Sequence, residues 1–200
     1  MEVTRVADGL WRWTAPHPEW KAGGGWDRDV GCVYCETGDA VVLVDPLVPD
    51  DPDDRTRFLE ALDRDVARVG DPVVVLLTCT WHERSGAELA DRYGGRVVAG
   101  GDGALPPGVR LLDVPSGPEL LVWLEDHASL VPGDVLLGTD AGIDLCPASW
   151  LESRSRSELV RELRPALDLP VERVLISHGP PVLEGGRDAL ARLLARYAPA

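Results

Sequence analysis

The sequence predicts a layered α/β domain, and three observations carry that prediction. Val73 to Thr78 reads Val-Val-Val-Leu-Leu-Thr, an aliphatic run without polar alternation, as expected of a strand buried on both faces. Ser85 with Glu88 then spells a capping box, and Leu89 and Tyr93 continue at helical spacing, so the strand hands over to a helix through Cys79 to Arg84. The C-terminal part repeats the helix-strand-helix order. Side chains at the end of a buried strand and beside a helix N-terminus converge on the crevice where layered α/β proteins bind ligands, so chemistry is expected between Cys79 and Arg84.

The other elements follow from local pattern. Leu10 to Thr14 alternates Trp11 and Trp13 with polar neighbours, and Val30 to Glu36 and Ala40 to Asp45 are strands joined by the short connection Thr37-Gly38-Asp39. Between them Pro16 to Asp29 is a loop with His17, Trp20, Trp26 and consecutive glycines; His17 reads as a solvated loop residue. Asp51-Pro52 opens a helix, cap first and proline in the first turn, whose buried stripe is Phe58, Leu59, Leu62, Val66 and Val69. Val97 to Ala99, Val109 to Leu112, Leu120 to Leu124 and Ala128 to Val131 read as strands. Ser155 and Glu158 form a second capping box before a stripe at Leu159, Val160, Leu163 and Leu167. A strand over Arg173 to Ser177 and a helix carrying Leu190, Leu193, Leu194 and Tyr197 complete the chain.

Composition narrows the function. Two hundred residues without a linker-like stretch predict one domain. With 34 acidic against 20 basic residues the formal charge is −14, which repels nucleic acid and anionic membrane at long range. No apolar run approaches the length of a membrane span and no leader pattern is present, so a soluble cytoplasmic protein acting on a small molecule is expected. Four cysteines do not make a disulfide framework here. Cys32 and Cys35 lie on a strand, where residues three apart face opposite ways, and read as core residues, as does Cys146.

The stretch from Thr78 to Gly86 resembles the metal motif of the metallo-β-lactamase superfamily, a buried strand ending in Thr-His-x-His-x-Asp-His-x-Gly before a helix. Thr78 and Gly86 match; Cys79 stands at the first histidine, Trp81 at the second, Glu83 at the aspartate and Arg84 at the last histidine, with His82 one place out of register. The likeness extends over nearly the whole chain. The strand closing on Asp45-Pro46 resembles the one whose aspartate supports the metal loop through hydrogen bonds. Pro115-Ser116-Gly117 stands where a third histidine would precede a turn. Pro132-Gly133-Asp134 resembles the strand ending in Gly-Asp, whose aspartate binds metal, with Asp140 as the competing alignment. Ser177-His178-Gly179 resembles the closing segment whose histidine is a ligand.

The resemblance implies a four-layer αββα sandwich of the metallo-β-lactamase type, two mixed sheets face to face with helices outside. It also implies an eroded metal site. Cys79, Trp81 and Pro115 fall at the three-histidine half, which is expected to be dry and filled by apolar volume. Glu83, Asp134 and His178 fall at the other half and are the candidate ligands for one zinc, manganese or iron ion, if any is held, with Cys79 a weaker candidate and Asp45 behind them. His82, Glu83 and Arg84 are the candidate catalytic groups. Arg84 is also placed to substitute internally for an ion. Two functions are carried forward: a hydrolase of a small ester, lactone, thioester or amide, with one metal or none, and a non-catalytic member of the fold binding a metabolite or protein partner in the former crevice.

Overall fold

A computed structural model describes residues 1–38, 40–70, 72–100, 103–151 and 154–197. The first sheet takes its strands in chain order: β1 (Glu2–Ala7), β2 (Leu10–Pro16), β3 (Asp29–Thr37), β4 (Ala40–Val44), β5 (Val73–Leu76) and β6 (Arg96–Val98). β1 to β4 pair antiparallel, and β4, β5 and β6 pair parallel. Parallel neighbours need crossovers, which are α1 (Pro52–Val69) between β4 and β5 and α2 (Gly86–Arg92) between β5 and β6. The second sheet, in the order β12 (Arg173–Val174), β9 (Ser129–Val131), β8 (Leu120–Leu124), β7 (Val109–Asp113), is likewise mixed. A hairpin of β10 (Leu136–Thr139) and β11 (Gly142–Leu145), with α3 (Arg156–Leu163) and α4 (Gly186–Arg196), completes the elements.

The core is divided as four layers require. Val33, Cys35, Val42, Val74 and Leu76 of the first sheet meet Val122, Leu124 and Val131 of the second in the central layer. The outer face of the first sheet buries Phe58, Leu62 and Val66 of α1 with Leu89 and Ala90 of α2. The outer face of the second receives Leu159 and Leu163 of α3 with Leu190 and Leu193 of α4. β5 lies between β4 and β6 and is buried throughout, which accounts for the absence of polar residues in it. Cys32 and Cys35 join the outer and the central layers respectively, so the strand separates them, and all four cysteines are free.

Cap chemistry agrees with the sequence at two helices and differs at a third. Asp51 accepts from the backbone of Asp53 and Asp54, and Ser155 and Glu158 close a full capping box. Ser85 does not cap α2. Its hydroxyl instead accepts the Val48 amide at 2.9 Å, and Glu88 pairs with Arg55 of α1, so two tertiary contacts displace the local one. The connection expected at Thr37-Gly38-Asp39 includes Asp39, which is outside the described residues. No helix among the described residues is long and apolar enough to cross a membrane.

β2 departs from its polar alternation. Arg12 is buried, and its guanidinium donates to Ile176 O at 3.0 Å and Gly179 O at 3.1 Å, fastening the first sheet to the segment after β12. Gly31 of β3 lies under that contact, where a Cβ would stand 2.4 Å from Ile176 O and 2.6 Å from the Arg12 guanidinium. Gly31→Ala is therefore expected to cost about 1–3 kcal/mol in denaturant unfolding, since the clash is with backbone. A loss below about 0.5 kcal/mol, the size of an ordinary surface substitution, would mean that the two sheets move apart freely at this point.

Candidate metal centre

The site begins with Asp45, which follows β4 with φ of 49°, in the left-handed region that aspartate tolerates better than most side chains. This turn sends its carboxylate inward. Oδ1 accepts the Thr78 amide at 2.8 Å, and Oδ2 accepts the Thr78 hydroxyl at 2.6 Å and stands 2.9 Å from His82 Nδ1. Two strand ends, β4 and β5, are thereby locked together behind the crevice.

Cys79 precedes a single 3-10 turn over Thr80–His82, closed by the His82 amide on Cys79 O at 3.1 Å. In that geometry residues three apart eclipse, so the side chains of Cys79 and His82 fall on one side. With Nδ1 facing Asp45, His82 presents Nε2 to Asp134 Oδ1 at 3.2 Å. Asp134 sits in the turn between β9 and β10; Gly133, at φ 58°, allows that turn to approach Thr78, whose hydroxyl would stand 2.8 Å from a Cβ at that position.

His178 reaches the same carboxylate from the segment after β12, with Nε2 3.4 Å from Asp134 Oδ1. It is pinned on both flanks. The Gly31 amide donates to Ser177 O at 2.6 Å, and the Gly138 amide donates to His178 O at 2.8 Å. Trp26 and Trp150 meet the His178 ring edge-on at centroid distances of 5.4 and 5.7 Å. The other Asp134 oxygen, Oδ2, accepts from Trp81 Nε1 at 2.9 Å.

Electrostatics bind the cluster into a unit. Burial opposes charge on His82, but Asp45 and Asp134 flank the ring and raise its pKa well above the ordinary imidazole value. Burial likewise opposes ionisation of Asp134, and His178 and His82 overcome it, holding the carboxyl far below the usual range. Cys79 is the exception. Burial pushes its thiol up despite the neighbouring imidazole. Cys79, His82 and Asp134 each offer a ligand atom, and these atoms all lie within 4.8 Å of one another. Asp134 Oδ1 and His178 Nδ1 are buried without a hydrogen-bond partner among the described residues.

No protein-family model matches the chain, and no curated protein does. Solved structures do match. A metallo-β-lactamase from Hirschia baltica is 19% identical with a TM-score of 0.61, over 100% of this chain and 98% of that one. One from Erythrobacter litoralis, with β-mercaptoethanol in its active site, is 20% identical with a TM-score of 0.60, over 97% of this chain and 96% of that one. The DIM-1 metallo-β-lactamase exposed to ceftazidime is 12% identical with a TM-score of 0.64, over 98% and 97% of the two chains. The chain has the metallo-β-lactamase fold.

Within the metallo-β-lactamase fold, the crevice brings together Cys79, His82, Asp134 and His178, with Asp45 behind them. Glu83 is not in this group. It is exposed and lines a neighbouring cavity of about 370 Å³ with Asp50, Arg55 and Glu88. His82 takes the place expected for Glu83, because the 3-10 turn rotates it inward where an extended segment would have turned it away. Asp140 is exposed in the turn between β10 and β11, so Asp134 is the aspartate that faces the site.

Arg84 does not replace an ion. Its NH1 donates to Asp45 O at 2.9 Å and Gly31 O at 3.3 Å, and its NH2 to Ser177 Oγ at 2.9 Å, so it braces the strand ends from behind. The apolar filling expected from Trp81 and Pro115 is absent as well. Trp81 is 49% exposed and covers Asp134 from outside, and Pro115 is exposed. What is buried nearby is an ion pair, Arg154 NH2 to Glu119 Oε1 at 2.5 Å; the Leu120 amide donates to Thr78 O at 2.7 Å, which sets Glu119 alongside the motif. Neither residue has a local sequence signal, since the partners are 35 residues apart.

Proposed function

We propose that the protein holds one divalent metal ion on Cys79, His82 and Asp134, with the fourth position open beside His178, and hydrolyses a small ester, lactone, thioester or amide in the crevice above it. The observation that carries this reading is the convergence of the Cys79 thiol, the His82 imidazole and the Asp134 carboxylate, whose ligand atoms all lie within 4.8 Å of one another, with His82 Nε2 3.2 Å from Asp134 Oδ1. A tetrahedral shell with bonds of about 2.0–2.3 Å separates its donor atoms by roughly 3.3–3.8 Å, close to the His82–Asp134 spacing. Thiolate, imidazole and carboxylate together suit zinc better than manganese.

Such an ion, when bound, lowers the pKa of a water ligand to about 7 and polarises a carbonyl. The chain's own groups do the rest. Asp45 holds His82 by Nδ1 and so directs Nε2 to the crevice, and Trp81 occupies the second oxygen of Asp134, leaving only the first for a ligand. A second reading, a non-catalytic crevice, has one observation in its favour: His82 stands 2.9 Å from Asp45 Oδ2 and 3.2 Å from Asp134 Oδ1, where a protonated ring would bridge the two carboxylates without an ion.

Titration of chelator-stripped protein with zinc and cobalt separates the two. One ion per chain is expected, with a thiolate-to-cobalt charge-transfer band that disappears in Cys79→Ser, and esterase activity on p-nitrophenyl acetate that disappears in His82→Ala. Absence of binding would leave the non-catalytic reading. Binding that survives loss of both Cys79 and His82 would place the ion elsewhere.

A further inference from the structure

We infer that the crevice above Asp134 selects flat aromatic ligands that carry no anionic group. The inference names a substrate class for the site proposed above, although the recognition it describes does not require the ion. The crevice is a cavity of about 330 Å³ walled by the indoles of Trp26, Trp81 and Trp150, and it adjoins a second of about 240 Å³ that shares Trp26 and Trp150. Volumes of this size hold one or two fused rings. Trp81 spends its only donor on Asp134, and Trp20 Nε1 donates to Trp26 O at 2.8 Å, fastening the loop that brings Trp26 over the site. The ring surfaces are what remain for a ligand, and flat rings stack on or meet the edges of indole.

Charge decides which rings are accepted. A carboxylate or phosphate needs a cation with free donors to replace its water. Among the described residues the one guanidinium that lines the cavity is Arg84, which gives NH1 and NH2 to Asp45, Gly31 and Ser177 and whose third nitrogen, Nε, is buried away from the cavity surface. Arg55, in the neighbouring cavity, is paired with Glu88. His82 lies between Asp45 and Asp134. His17 lines the mouth and accepts the Glu19 amide on Nδ1 at 3.3 Å, which requires the neutral ring. Glu19 and Asp27 stand exposed at the rim of a chain whose formal charge is −14, so an approaching anion meets carboxylates, and among the described residues that line the two cavities no guanidinium or ammonium offers it an accessible free donor.

Two isosteric probes that differ in charge test the inference. Chelator-stripped full-length protein is titrated calorimetrically with naphthalene-2-carboxamide and naphthalene-2-carboxylate. The amide should bind at least about tenfold more tightly, and the gap should narrow in high salt as screening removes the rim repulsion. Trp81→Ala, with an unchanged circular dichroism spectrum, should weaken the amide at least about fivefold, the loss of one stacking surface. Equal or tighter binding of the carboxylate, failure of the amide to bind, or amide binding indifferent to both Trp81→Ala and Trp26→Ala would overturn it. Because no metal is present in this titration, amide selectivity in a protein that binds no zinc would leave this inference standing and remove only the hydrolytic reading.

Discussion

Asp45→Ala should lower the unfolding free energy by about 3–5 kcal/mol, because it removes one member of a buried charged cluster and leaves His82 Nδ1 without its partner, with Asp134 the remaining counter-charge. Thr78 would lose the acceptor of both its amide and its hydroxyl in the same step. Asp45 is not placed to bind an ion, yet zinc affinity should fall about 10–100-fold, the usual cost of removing the group that orients a ligating histidine. Asp45→Asn separates the two effects: the amide retains volume and an acceptor for Thr78 but not the charge. It should recover part of the stability and little of the affinity. Unfolding by denaturant and zinc calorimetry on the same samples make the comparison. Unchanged zinc affinity in Asp45→Ala would show that His82 does not need Asp45 to present Nε2.

The frame of the fold was legible because it rests on patterns that survive in one dimension. A short β-branched and aliphatic run that hands over to a helix after a few residues reads as an interior strand, and β5 is one. Asp134 faces the crevice because a tight Pro-Gly turn ends a buried strand there, whereas Asp140 follows a strand with an exposed end. The register of the metal segment was not legible. Thr80–His82 turns as a 3-10 helix, and the contact that holds it, His82 to Asp45, spans 37 residues. Read as an extended segment, the same residues turn His82 away and Glu83 inward. Ser85 and Glu88 had the spacing of a cap, but Val48 and Arg55 compete for them across the fold. Buried arginines such as Arg12 are equally silent, because alternation in a strand assigns polar residues to solvent and a second layer here covers that face.

The Glu119–Arg154 pair is the other place where a single substitution should have a large effect. Each side chain is 4% exposed, and the contact between Arg154 NH2 and Glu119 Oε1 is 2.5 Å. The pair is incompletely satisfied: Glu119 Oε2 and Arg154 NH1 have no hydrogen-bond partner among the described residues. Gly117 makes room for it, since a Cβ there would stand 2.2 Å from Arg154 NH1. Glu119→Leu or Arg154→Met alone should cost about 3–5 kcal/mol, because either leaves an uncompensated charge in a dry environment. Coulomb attraction between partners that lack their remaining hydrogen bonds only partly offsets the cost of taking both out of water. The double substitution Glu119→Leu with Arg154→Met should therefore be at least as stable as the parent, within about 1 kcal/mol, and the double-mutant cycle should return a coupling of several kcal/mol. Urea midpoints and slopes for the four proteins provide the measurement. Additive losses, with the double variant as unstable as the two single changes summed, would mean that the two charges are stabilised by groups other than each other.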